Sequence, residues 1–290
     1  MASMISKDMQ AAGGVLLLGA TGRLGGMLRR HWPQPGDLRC QSRRAVAGFT
    51  RFDLPAPGQA PSAEALEAAK GARAILCLSG VTPAAAARSG QPLSDNTTLA
   101  LAALDLAQAA GVPRVFIASS AAVYGAGSGA LSERQTVAPA SDYGRAKLAM
   151  EQAVAARTTE GVTLLRIGNV AGADAILGGW RPGMELDRFP EGRTPRRSYI
   201  GPVTLARVLH QLCARTALPP VLNLAAPGVV EMGALLDAAG LAWQPRPAGP
   251  GSIAAVELDT NALERLVSFA PENSTPAGLV GEWQRDSQHP

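Results

Sequence analysis

A tyrosine and a lysine stand four residues apart in Tyr143-Gly-Arg-Ala-Lys147. On a helix, positions i and i+4 share one face, so this spacing brings an ammonium beside a phenol. A free tyrosine has a pKa of about 10, too high to trade protons freely near neutrality. A neighbouring cation favours the phenolate and draws that pKa toward the working range, which makes the pair a candidate acid/base couple. Two hydroxyls, Ser119 and Ser120, lie upstream at the end of an apolar run, Ser120 being 23 positions before Tyr143.

The second candidate is Gly19-Ala20-Thr21-Gly22-Arg23-Leu24-Gly25, directly after the apolar run Val15-Leu-Leu-Leu and directly before a helical pattern. Glycines here permit a tight turn and let backbone N–H groups approach a pyrophosphate seated on the helix N-terminus. In a strand–turn–helix context they predict a dinucleotide site. A site that reads a free ribose 2′-OH carries an acid about 20 residues further on. Here Arg39-Cys-Gln-Ser42-Arg43-Arg44 offers no carboxylate, and Asp37 falls before the strand. The Ser42 hydroxyl and the guanidiniums of Arg43 and Arg44 match a phosphate instead, because arginine pairs with phosphate in two-pronged geometry. The expected cofactor is NADP rather than NAD; the competing reading leaves one or both arginines facing solvent.

These groups need a scaffold, and the pattern supplies one. Short apolar runs predict strands over 15–19, 38–42, 48–52, 74–79, 115–120 and 162–166, alternating with helices over 24–31, 96–110 and 143–157. Asn96 is expected to cap the second of these helices. Its apolar face is Leu99, Ala102, Ala103, Leu106 and Ala110, and Gly111 and Pro113 end it. Such alternation predicts an α/β fold, a doubly wound parallel (Rossmann) sheet with a small C-terminal substrate lobe. A loose N-terminal tail (1–14) precedes the NADP-binding domain (15–170), to which the chain returns at about 198–225. The returning stretch carries a helix over 203–215 and a strand over 221–224; the lobe and C-terminal tail take 171–197 and 226–290, with a helix over 232–239. From Pro271 onward the sequence reads as a polar tail with Trp283 as an anchor.

Composition narrows the function. The net charge of +4 comes from 27 cations against 23 anions, but only Lys7, Lys70 and Lys147 are lysines and the arginines are spread along the chain. No basic stripe marks a nucleic-acid binder, and 4% aromatics give no stacking platform. No apolar run reaches membrane length and no charged-then-apolar leader opens the sequence, so a soluble cytoplasmic protein is expected. Cys40, Cys77 and Cys213 form no CxxC pair, and His31, His210 and His289 have no ligand-spaced partners. Neither a metal site nor a Ser-His-Asp triad is expected.

The glycine spacing G-x-x-G-x-x-G resembles that of the extended short-chain dehydrogenase/reductase superfamily, in its sugar-nucleotide epimerase/dehydratase branch. The resemblance implies that Ser120 orients the substrate oxygen beside Tyr143, and that Lys147 also holds the nicotinamide ribose. Ser119 and Ala121 flank that serine, on the cofactor and substrate sides. Phe52-Asp53-Leu54 is similar to the family's adenine-contacting segment, Leu78-Ser79-Gly80 to its backbone near the adenine ribose, and Asn96 to the asparagine of its middle helix. Arg166-Ile-Gly168-Asn169-Val170 resembles the segment near the nicotinamide, with Asn169 also facing substrate. The resemblance further implies a homodimer paired through the 96–110 and 143–157 helices.

The departures are informative too. Family members that remove water carry an Asp-Glu pair where this chain has Ala121 and Ala122, and none of its cysteines lies between Cys77 and Cys213, where some epimerases need one. What remains is alcohol–ketone redox, with Tyr143 moving the proton. From Asn169 to Tyr199 is only 30 positions, a short lobe. Arg197-Ser-Tyr-Ile-Gly-Pro-Val-Thr204 resembles the family's Arg-Asp-Tyr-Ile-His-Val-Asp-Asp with both final acids missing, leaving Thr204 to cap the next helix. Arg181, Arg188, Arg193, Arg196 and Arg197 either grip a substrate phosphate or carboxylate or form a solvated loop with Glu185, Asp187 and Glu191; Arg197 is the one singled out. The expected function is an NADP-dependent oxidoreductase or epimerase acting on a nucleotide sugar or another small anionic substrate. The alternatives are a non-catalytic NADP-sensing regulator, which predicts loss of the Ser-Tyr-Lys set, and a scaffold that uses its Ala-rich helices for assembly.

Overall fold

Four consecutive apolar residues, Val15–Leu18, form β1, and none of their side chains is exposed. From there the chain runs through α1 (Arg23–His31), β2 (Leu38–Ser42), β3 (Thr50–Arg51), α2 (Ala63–Ala69), β4 (Ala74–Cys77), α3 (Pro83–Ser89) and α4 (Asp95–Ala110). Next come β5 (Val115–Ser120), β6 (Ala130–Leu131), α5 (Asp142–Arg157), β7 (Val162–Ile167) and β8 (Asn169–Val170). The later part adds β9 (Glu185–Arg188), β10 (Arg196–Arg197), β11 (Tyr199–Ile200), α6 (Pro202–Cys213), β12 (Val221–Leu224) and β13 (Val230–Glu231). It ends with α7 (Met232–Ala238), β14 (Gln244–Pro247), β15 (Ala255–Leu258), α8 (Asn261–Glu264) and α9 (Pro276–Ser287). These elements belong to a computed structural model that describes residues 13–127, 129–157 and 160–288; residues 1–12 of the expected tail lie outside them.

Seven strands make one parallel sheet in the order β12-β7-β5-β4-β1-β2-β3. Side chains of successive strand residues point to opposite faces, so each strand feeds two cores. Val15 and Leu17 pack on one side with α1 and α6, while Leu16 and Leu18 pack on the other with α2, α4 and α5. β4 divides the same way, Ala74 and Leu76 against Ile75 and Cys77. Burial on both faces is why these strands read as continuous apolar runs rather than alternating ones. Each large side chain so buried contributes roughly 1.5–3 kcal/mol.

Outside this sheet, β13-β10-β15-β6, β11-β8 and β14-β9 form small sheets. A separate cluster around Ile176, Leu186, Tyr199, Leu235, Leu236 and Leu279 forms the core of the later segments.

Three local expectations are corrected. Asn96 does not cap α4: the helix begins at Asp95, and the buried Asn96 amide instead clasps the Val81 N–H and carbonyl. Thr204 does not cap α6, which starts at Gly201-Pro202; it lies inside the first turn and meets Glu282. The segment after Pro271 is a turn followed by α9, whose Leu279 and Val280 are buried, with Trp283 packed beside them.

Candidate active site

The crevice where the sheet order reverses, between β1 and β4, holds a cavity of about 390 Å³. Open α/β sheets bind ligands at such a switch point. Its floor is the glycine turn. Gly19 has φ +80°, and a Cβ there would stand 2.7 Å from the Ser79 nitrogen; one on Gly25 would stand 2.4 Å from the Gly19 carbonyl. The turn therefore fits only because both lack side chains. Gly22 begins α1 with no side-chain cap, so the N–H groups of that first turn are left for an anion. A diphosphate fits this cradle.

Of the residues expected around a dinucleotide, Gly19, Thr21, Gly22, Ser42, Arg43, Asp53, Leu54, Leu78, Ser79 and Gly80 line the cavity. Others do not. Ala20 is part of the core, Leu24 packs against it, and Arg23 donates to the Ala173 carbonyl at 3.2 Å. Arg44 is exposed, and its backbone N–H donates to Ser42 Oγ at 3.0 Å. Gln41 lines the cavity and was not among the expected residues. Its amide donates to the Phe52 carbonyl at 2.6 Å, and its Oε1 accepts from the Gly19 N–H at 3.4 Å, tying β2 to the glycine turn.

Ser120 ends β5 and Tyr143 stands in the first turn of α5, where the serine side chain acts on the phenol. Ser120 Oγ also accepts from the Ala122 N–H at 3.2 Å, which fixes the serine. Lys147 Nζ lies 5.9 Å from the centre of the Tyr143 ring and donates to the Ala118 carbonyl at 2.7 Å. The last register pair between β4 and β5 is Cys77–Ile117, so Ala118 lies beyond that ladder. Burial pulls the Lys147 ammonium down to about 8, against the opposing pull of the Glu151 carboxylate. The spacing predicts a lowered phenol pKa; the structure gives the reverse. Burial raises Tyr143, and only the Ser120 side chain opposes it. Desolvation of the phenolate outweighs a cation that sits by the ring and spends one donor on a carbonyl.

Behind these groups runs a buried polar chain. Ser119 Oγ donates to Glu151 at 2.5 Å, and Arg166 grips Glu151 with Nη2 at 2.7 Å and Nε at 3.1 and 3.2 Å. Arg166 Nη1 donates to the Tyr124 hydroxyl at 3.0 Å, and that hydroxyl donates to Asn223 at 2.7 Å. Ser119 thus turns toward α5. Glu151 was overlooked in the sequence, although it continues the four-residue spacing of Tyr143 and Lys147.

On the far side, Asn169 stands on β8 in register with Tyr199 on β11, flanked by Gly168 and Val170. The Tyr199 hydroxyl donates to Asp174 at 2.8 Å. Arg197 is largely committed to backbone, donating to the Arg196 carbonyl at 2.7 Å and the Ile253 carbonyl at 3.0 Å. Ala121, next to Ser120, opens a helical turn that ends at Val123. Among the described residues, no cluster of His, Cys, Asp and Glu could hold a metal, and no helix is long and apolar enough to cross a membrane.

Known proteins agree with this architecture. MoeE5, solved in complex with UDP-glucuronic acid and NAD, is 22% identical; the match covers 95% of this chain and 100% of that one, with a TM-score of 0.71. TunA, an NAD-dependent NDP-hexosamine 5,6-dehydratase of tunicamycin biosynthesis, is 17% identical over 96% of this chain and 98% of its own, with a TM-score of 0.75. UDP-glucose-4-epimerase from Stenotrophomonas maltophila, with bound NAD and formylated UDP-arabinopyranose, is 19% identical over 95% and 99%, with a TM-score of 0.73. At these identities the likeness concerns the fold. No curated protein matches the chain by sequence. The model of the NAD-dependent epimerase/dehydratase family, by contrast, matches residues 15–182, more than half the chain. With the glycine turn and the Ser-Tyr-Lys corner inside that match, the chain belongs to the NAD-dependent epimerase/dehydratase family, enzymes of the extended short-chain dehydrogenase/reductase type.

Proposed function

We propose that this enzyme uses NADP to oxidise, reduce or epimerise a hydroxyl or keto carbon of a sugar nucleotide or another small anionic compound. The observation that carries the reading is the Lys147 ammonium 5.9 Å from the centre of the Tyr143 ring, with Ser120 at the end of β5 acting on the same phenol and the glycine-floored crevice in the same sheet. The first turn of α1 holds the diphosphate, Asp53, Leu54 and Leu78–Gly80 the adenosine side, and Lys147 the nicotinamide ribose. A bound nicotinamide supplies the hydride acceptor or donor.

The chain's own residues handle the proton. Ser120 holds the substrate oxygen by a hydrogen bond, and Tyr143 takes its proton on oxidation or returns one on reduction. One Lys147 N–H is spent on Ala118, which leaves two for the phenol and a ribose hydroxyl. Ala121 and Ala122 offer no acid for a leaving hydroxyl, which favours redox or epimerisation over dehydration. The Asn169 amide, on the strand paired with Tyr199, meets the substrate.

The relatives named above were solved with NAD where a cofactor is named. The preference for NADP here rests on the end of β2, where the cavity wall is Gln41, Ser42 and Arg43 with no carboxylate. Fluorescence titration with NADPH and NADH tests it: tighter NADPH binding is expected, and equal or tighter NADH binding would sink the preference. Sugar nucleotides are then screened with NADP(H), Tyr143→Phe serving as the inactive control. A homodimer through α4 and α5 is part of the same reading, supported by the small exposed side chains Ala109, Ala149 and Ala156. Sedimentation equilibrium at a monomer mass would remove it.

A further inference from the structure

Two successive turns of α5 are fastened to two successive residues of β5. Lys147 donates to the Ala118 carbonyl, and Glu151, one turn on, accepts from the Ser119 hydroxyl. Lys147, Glu151 and Arg166 are 5%, 4% and 6% exposed, so water screens none of them well. The group holds two cationic side chains and one anionic one. Arg166 keeps its charge under all ordinary conditions, whereas a buried lysine can shed its proton. The state of Lys147 therefore depends on what faces it. Cys77 on β4 is buried and its thiol is pushed up to about 11, so it stays neutral. Tyr143 on α5 is a phenol raised by burial, and Asn96 on α4 carries no charge. The remaining negative charge is that of Glu151.

We propose that Glu151 is a positioning residue that keeps Lys147 a cation, and that Ser119 and Arg166 hold its carboxylate in place for that purpose. The inference rests on the roles given to Tyr143 and Lys147 above. Without the carboxylate, Lys147 and Arg166 would stand as two uncompensated buried cations, and the lysine would give way. A neutral amine has two N–H donors; with one on Ala118, a single donor would be left for both phenol and ribose.

The chain has three lysines, so ¹³Cε-lysine NMR gives a spectrum simple enough to follow each titration, with Lys147→Met assigning the signal. In the wild type, Lys147 is expected to titrate at about 8. Glu151→Gln is expected to lower that midpoint by about one pH unit or more. Glu151→Asp keeps the charge but withdraws it by one methylene, so a smaller fall is expected; it serves as the test if the glutamine variant does not fold. An unchanged Lys147 midpoint in either folded variant overturns the proposal. Dinucleotide binding to the wild type, measured on the same samples, separates the two failures. Loss of binding there would remove the functional reading and leave the lysine result standing.

Discussion

Glu282 on α9 reaches across the chain to Thr204 on α6, accepting from the Thr204 N–H at 2.8 Å and from its hydroxyl at 2.5 Å. An acid 78 positions away in sequence thus occupies the start of α6, where the family pattern has local aspartates and this chain does not. A carboxylate at that end satisfies an orphan N–H and meets the positive end of the helix dipole. Asn273 completes the contact, donating to Thr204 Oγ1 at 3.0 Å and to Glu282 at 3.3 Å. Glu282→Ala strands a buried donor and is expected to cost about 1–3 kcal/mol, read as a lower urea midpoint. A midpoint equal to that of the wild type would show that water replaces the carboxylate.

Tyr143 separates chemistry from binding. Removing its hydroxyl in Tyr143→Phe keeps the ring beside Lys147 and takes away the proton carrier. Turnover with the best substrate found is expected to fall roughly 10²- to 10⁴-fold, with dinucleotide affinity nearly unchanged. Ser120→Ala, which loses the hydroxyl that holds the substrate oxygen, should fall less and in the same direction. A Tyr143→Phe variant with full activity would move the proton transfer elsewhere.

Cofactor choice is predicted to sit at two adjacent residues. Arg43 lines the crevice and Ser42 is buried at the end of β2, with its hydroxyl accepting the Arg44 N–H. Arg43→Ala should weaken NADPH by about tenfold, the worth of one charge-assisted hydrogen bond, and leave NADH alone. Ser42→Asp can accept the same Arg44 N–H while repelling a 2′-phosphate, so it is expected to invert the preference. Parallel loss of both cofactors would point to damage of the turn rather than to recognition.

The sheet and its glycine turn were legible because their signals are local. A strand buried on both faces is an apolar run, and a backbone that must approach a phosphate needs glycine. The short helices α2 and α3 were not recognised, although Ser62 and Thr82 cap them through the Ala65 and Ala85 N–H groups. Seven residues give little periodicity to weigh. The helix α9 escaped for another reason: its buried side includes Glu282 and Asp286, and only partners on α6 and α1 make those acids interior residues. The Tyr-Lys spacing pointed to the right corner but not to its electrostatics. Whether a lysine sits on a phenol or over its ring depends on Ala118, a residue that no helix pattern mentions.

Asp37 stands on the wrong side of β2 to reach a ribose, and the structure gives it a different task. It forms a two-pronged ion pair with Arg73, and His210 Nε2 lies 3.7 Å from its carboxylate. The Arg73 hydrogen bonds hold the Asp37 carboxyl below its ordinary 3.8, despite burial. His210 moves down from 6.5, through burial first and the Arg73 charge second. Both shifts mean that the unfolded chain binds the proton more readily than the folded one, so stability rises with pH across each window. As pH falls, the first loss begins near 6.5, where His210 of the unfolded chain protonates. The second begins near 4 and runs down through the folded pKa of Asp37. His210→Gln should flatten the upper slope of unfolding free energy against pH, and Asp37→Asn the lower one, at some cost in stability at neutral pH because Arg73 loses its counter-charge. Urea midpoints taken at half-unit steps between about pH 3 and 8 decide it. Slopes that survive both substitutions would assign the acid sensitivity to other groups.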